Sequence, residues 1–195
     1  MKKYSSIKTT LKTLFFSSCI LAVWGCSSPS TAESLEELRK AYKTDISFSQ
    51  DSVPKAFSAK KTDGTIFNSK EMKGKYWVIL GYEKNYLKPE HKDVIDELNG
   101  NYEKYKDKIS MIGILDGFSD DPKKINEMIR LANIKFPQID NTKSFEKTRI
   151  INHDIYCWPI KIIINPEGKV IYAACGGGSE GLDAELEQLI ANKKI

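Results

Sequence analysis

The 195-residue chain is expected to fold as one α/β domain, a central mixed sheet with helices on both faces. Three features predict this. Two apolar runs, Tyr76 to Tyr82 and Ile109 to Leu115, read as strands covered on both faces, and each leads into a segment of helical spacing. A hairpin signal precedes the pair, and a second hairpin with a terminal amphipathic helix follows it.

Each element has a local reason. Ala56 to Phe67 alternates around Asp63-Gly64, where glycine tolerates the positive φ of a tight turn. Ser69 to Lys73 is long enough for one helical turn. Leu87 to Tyr105 sets Val94, Ile95, Leu98, Tyr102 and Tyr105 on one stripe, with Pro89 in the first turn. Asp120 or Asp121 caps a helix reaching Arg130 or Asn133, with Ile125, Met128 and Ile129 inward. Phe145 to Ile151 reads as another short helix. Ile160 to Ile164 and Lys169 to Ala174 flank Asn165-Pro166-Glu167-Gly168 as an antiparallel hairpin. Leu182, Leu186, Leu189 and Ile190 give the last helix its apolar face.

The first 25 residues carry Lys2, Lys3, Lys8 and Lys12, no acid, and an apolar run from Leu14 to Trp24, too short to span a bilayer. Gly25-Cys26 followed by Ser27-Ser28-Pro29-Ser30 resembles a bacterial lipoprotein cleavage site, although Val23 and bulky Trp24 depart from the usual pattern. Ordinary secretion with cleavage near Ala32 is the alternative, and Cys19 is a poorer lipidation candidate. The expected organisation is a signal over 1–25, a tether with a short helix (Leu35, Leu38, Tyr42) over 26–50, and a domain over 51–195. Without the signal the formal +4 disappears, leaving 26 basic against 26 acidic residues. That balance gives no reason to expect a nucleic-acid partner. The expected partners are a lipid bilayer, through acylated Cys26, and a protein or peptide of the cell envelope. The expected place is the periplasmic or outer-surface side of a bacterial envelope.

Several segments together resemble the thioredoxin-like superfamily, and within it the exported thiol-disulfide oxidoreductase and peroxiredoxin (redoxin) branch. They are Val53-Pro54-Lys55-Ala56-Phe57, Asp63-Gly64, Met72-Lys73-Gly74-Lys75 leading into the central strand, and Trp158-Pro159-Ile160 followed by Ile162 to Val170. The resemblance runs from Val53 to the C-terminus. It implies a three-layer α/β/α sandwich with an N-terminal hairpin extension and a cis-proline at Pro159. The departure lies where that branch carries its thiols. Against Trp-Cys-x-x-Cys the chain reads Tyr86-Leu87-Lys88-Pro89-Glu90, and against Pro-x-x-x-Thr-x-x-Cys it reads Glu83, Leu87 and Glu90. Disulfide exchange needs a thiolate, so neither Leu87 nor Glu90 can perform it.

The remaining thiols of the domain are Cys157 and Cys175, near opposite ends of the last hairpin and nearly opposite each other when counted out from its turn. A stabilising disulfide, two reduced cysteines and a redox-active pair all stay open. Tyr86, Lys88, Glu90, Trp158 and Pro159 outline a candidate binding groove, with Tyr82 and Tyr156 nearby. His91, beside Glu90, points too far from it for joint metal ligation, and no metal or cofactor is expected. His153 reads as a surface loop residue, Asp116 to Asp121 as a loop with a helix cap, and Gly176-Gly177-Gly178 as a flexible turn. The expected function is a tethered, non-catalytic binding or accessory protein. The alternative is a divergent thiol oxidoreductase or antioxidant protein working through Cys157 and Cys175.

Overall fold

The computed structural model describes residues 44–119 and 121–195. The leader, Cys19, Cys26, the expected helix at Leu35 to Tyr42, and Asp120 lie outside them. A small antiparallel hairpin pairs β1 (Ser58–Lys60) with β2 (Ile66–Asn68). The main sheet contains β3 (Trp77–Glu83), β4 (Ser110–Asp116), β5 (Gln138–Asp140), β6 (Ile160–Ile164) and β7 (Val170–Cys175), in the order β5-β4-β3-β6-β7. β3–β4 and β4–β5 are parallel, while β3–β6 and β6–β7 are antiparallel. The helices are α1 (Lys92–Tyr105), α2 (Pro122–Leu131) and α3 (Glu180–Ala191). No helix among the described residues is long and apolar enough to cross a membrane.

Alternation along β3 divides the core. Val78, Leu80 and Tyr82 face one side with Ile95 and Leu98 of α1, Ile125 of α2, and Leu182 and Leu186 of α3. Trp77 and Ile79 face the other side with Ile46, Phe48, Ile151, Ile155 and Ile162. All three helices therefore pack on one face. The expected second helical layer is replaced by the β1–β2 hairpin, the strand-like run from Ile46 to Phe48, and the segment 141–158. Topology explains this, because β3 to β4 to β5 steps twice in the same direction, and right-handed crossovers then place α1 and α2 on one side. Ile46 and Phe48, assigned by sequence to the tether, are buried, so packing begins before the expected boundary at Asp51.

Other elements differ locally. No helix forms over Phe145 to Ile151: Ser144 Oγ accepts from the N–H groups of Glu146 and Lys147 as a cap would, but the Ile151 N–H and carbonyl pair with the Asn141 side chain in place of a helical ladder. Asp121 is the cap of α2, its Oδ1 accepting from Lys123 N (2.9 Å) and Lys124 N (3.1 Å). β5 had no sequence signal, since it is only Gln138-Ile139-Asp140.

Candidate functional site

The turn after β3 is where the two expected thiol positions fall. Helix α1 does not start at Leu87 but at Lys92, after two 3-10 turns, Lys84–Leu87 and Pro89–His91. The ring of Pro89 disfavours the α region for the residue before it, and Lys88 is accordingly extended (φ −81°, ψ 151°). The chain therefore cannot enter the α-helix until it has passed the proline. Leu87 is buried in the helix-bearing core, whereas Glu90 is exposed and pairs loosely with Lys88 at 3.9 Å. A pair this exposed contributes little to stability.

The Trp158–Pro159 peptide is cis. Across from it, Tyr86 donates its hydroxyl to the Trp158 carbonyl at 2.9 Å and packs its ring 5.3 Å from His91. Trp158 lies over β3 at Gly81, whose missing side chain makes room for the indole and for Ile160. The structure thus brings Tyr86, Trp158 and Pro159 together. Lys88 and Glu90 stand apart at the rim, with Tyr86, Leu87 and Lys88 bordering a cavity of about 290 Å³ shared with Met128 and Leu131 of α2. Removing the hydroxyl alone, in Tyr86→Phe, is expected to lower unfolding stability by about 0.5–1.5 kcal/mol, the net value of one hydrogen bond. Urea denaturation of the two proteins measures it, and an unchanged midpoint and slope would show that this contact contributes nothing.

Cys157 and Cys175 form a disulfide, with Cα atoms 5.8 Å apart. Cys157 lies outside β6, in the loop before the cis-proline, so the bond joins a loop to the end of β7 instead of two paired strand positions; the β7 partner of Ile160 is Cys175. Both half-cystines are exposed. Among the described residues no group of three or more His, Cys, Asp or Glu could hold a metal ion.

Beneath Trp158 lies a buried ionic cluster. Asp116 ends β4 opposite Glu83, the last residue of β3, and both it and His153 are fully buried. Asp116 Oδ1 accepts from Arg149 Nε at 2.9 Å and Gly117 N at 2.6 Å. Oδ2 faces His153 Nε2 at 3.1 Å, near but not aligned as a good hydrogen bond. The Ile155 N–H points at His153 Nδ1 (3.3 Å), and Asn141 Nδ2 lies 3.3 Å from Nε2, so both ring nitrogens have polar neighbours within the buried cluster. Burial is the largest influence on Asp116 and opposes its charge, but His153, the Gly117 N–H and Arg149 outweigh it and hold the carboxyl below the ordinary range. His153 also packs edge-on against Trp158 at 5.8 Å, linking the cluster to the groove.

A family model described as AhpC/TSA matches residues 50–173. The chain belongs to the AhpC/TSA family. Solved structures place its fold as thioredoxin-like. The thioredoxin domain of a thiol-disulfide oxidoreductase from Bacteroides vulgatus matches at 17% identity and TM-score 0.53, over 72% of this chain and 97% of that one. A thioredoxin-family thiol:disulfide interchange protein from Chlorobium tepidum matches at 18% and 0.53, over 72% and 97%. A secreted thiol-disulfide isomerase from Corynebacterium glutamicum matches at 10% and 0.51, over 66% and 79%. No curated protein matches.

Within this AhpC/TSA domain, sequence reasoning misplaced His153 and missed Lys161. His153 is not a surface residue. Ile151, His153 and Ile155 alternate with the more exposed Asn152 and Asp154, a period of two that marks His153 as inward-facing, and Ile46 bridges to it as a strand would. Lys161 interrupts the run Ile160 to Ile164 yet is fully buried, and its ammonium donates to the carbonyls of Gly176 (2.9 Å), Gly177 (2.9 Å) and Gly178 (3.0 Å). The glycine turn is therefore organised. Gly176 and Gly177 have φ of 66° and 57°, a region that favours glycine and lets successive carbonyls converge on one cation.

Proposed function

We propose that this protein is a membrane-tethered, extracytoplasmic thioredoxin-like domain that does no thiol chemistry at its helix-entry turn and serves as a binding or accessory protein of the cell envelope. The observation that carries this reading is at that turn. The turn from Lys84 to His91 contains no cysteine, Leu87 and Glu90 standing where the family resemblance would put the thiols, and the Tyr86 hydroxyl engages the Trp158 carbonyl beside the cis-proline. A carboxylate cannot form a mixed disulfide, so the scaffold keeps a groove without its nucleophile. The carbonyl has a second lone pair, so an extended peptide donating an N–H could still pair there, with Trp158 and Tyr86 as aromatic walls. Gly25-Cys26 supports the tether, and the secreted isomerase of similar fold fits the same compartment.

Three measurements test the reading. Disulfide reduction by a Cys157→Ser/Cys175→Ser protein is expected to run at the rate of buffer alone; efficient turnover would defeat the non-catalytic assignment. Fatty-acid labelling in cells is expected to disappear with Cys26→Ser. Crosslinking in native membranes is expected to lose its principal adduct in Trp158→Ala, and the same adduct at the same yield would rule out the groove.

A further inference from the structure

The disulfide lies on a part of the fold that other contacts hold as well. Ile160 of β6 is in register with Cys175 of β7, and Gly176 N donates to Pro159 O at 2.8 Å. The Lys161 ammonium gathers the next three carbonyls, and Glu97 of α1 accepts from Ser179 N at the start of α3. Burial pulls the Lys161 ammonium toward the neutral form, and the charges of Glu97 and Glu180 oppose that. From Cys175 to Ser179 the chain is thus pinned by contacts independent of the sulfur bridge. Both sulfur-bearing residues are meanwhile exposed to an incoming thiolate. This combination suits reversible exchange, because opening the bond leaves the backbone next to it still paired, Gly176 N to Pro159 O.

We propose that Cys157–Cys175 is a reversible two-electron redox site that exchanges with an external thioredoxin-type dithiol protein, and that Lys161 is a positioning residue keeping the reduced thiols apposed. A thiolate of the donor attacks one sulfur of the pair, breaking the Cys157–Cys175 bond, forming a mixed disulfide and releasing the other cysteine as a thiolate. The donor's second thiol then attacks its own first sulfur, closing the donor disulfide and releasing the second cysteine. The donor loses two electrons and two protons, and Cys157 and Cys175 gain them as thiols. The exchange does not depend on what the groove binds, so either conclusion can fail without the other.

The test equilibrates the full chain, in detergent, with a thioredoxin protein at set ratios of its dithiol to disulfide forms. Acid trapping, alkylation and mass mapping of Cys157 and Cys175 give the reduced fraction. Half-reduction is expected at a donor ratio of about ten to one or lower, because structural disulfides of secreted proteins lie further to the oxidised side. Amide-exchange protection of β6, β7 and α3 is expected to survive reduction. A pair that stays oxidised beyond that ratio, or opens only as protection collapses, overturns the redox site. Lys161→Met keeps the apolar stem and is expected to shift the equilibrium about tenfold toward the dithiol, while Lys92→Met on α1 leaves it unmoved. Glu97→Gln, which loosens the Ser179 anchor, supplies the same comparison should Lys161→Met not fold. An equilibrium unmoved in the folded variant removes Lys161 from the proposal.

Discussion

Replacing Asp116 by asparagine is expected to destabilise the domain by about 3–5 kcal/mol at pH 7, the range for removing one partner of a buried ion pair. Asp116 and His153 are inaccessible to solvent, and the Arg149 side chain is only 28% exposed, so the substitution leaves a guanidinium short of solvent with no carboxylate to balance it. His153 Nε2, 3.1 Å from Asp116 Oδ2, would face an amide in place of an anion. The loss should depend on pH with a defined sign. The folded carboxyl titrates below its unfolded value of about 3.9, so between the two the unfolded chain binds more protons and stability rises with pH. The contribution is complete above about pH 5 and is lost as pH falls through the folded value. Urea unfolding of both proteins at pH 7 and pH 3 measures this. The gap should narrow at pH 3, and an equal gap at both would exclude the carboxylate charge as its cause.

A second large effect is expected at Gly81. A Cβ there would lie 2.6 Å from Ile160 Cγ2 and 2.7 Å from Trp158 Cζ3, closer than such atoms approach in folded proteins. Ile160 is held in the β6 ladder opposite Gly81 itself, and Trp158 is tied to Tyr86 through its carbonyl, so neither can retreat freely. Gly81→Ala is expected to cost about 1–3 kcal/mol as overpacking. The melting temperature should fall by about 2–4 °C for each kcal/mol in a domain of this size. Because the indole must move, Trp158 emission should shift as well. A protein with wild-type melting and emission would show that Trp158 is not seated on Gly81.

The sequence carried more of the fold than of the site, and particular residues show why. Apolar runs such as Tyr76 to Tyr82 reveal buried strands because burial is a one-dimensional pattern that a sheet imposes on its own residues. The proximity of Tyr86, Trp158 and Pro159 was legible, but only through flanking segments shared with a family. The expectation that Lys88 and Glu90 join them was not met, since both end on an exposed rim. The start of α1 was misjudged despite an available signal, the restriction Pro89 places on Lys88. His153 likewise had a two-residue period around it that pointed inward.

The sequence by itself determined that the chain has an α/β scaffold, that its helix-entry turn carries no sulfur, and that Cys157 and Cys175 are the thiols left within the domain. These are statements about composition, spacing and local order, which a linear chain displays directly. Only the tertiary structure decided that all three helices share one face, that Asp116, Arg149 and His153 meet beneath Trp158, and that Lys161 organises the glycine turn beside the disulfide. Each of these joins residues distant in sequence. The handedness of crossovers and the cost of burying a charge unpaired bring them together, and neither acts until the sheet has closed around them.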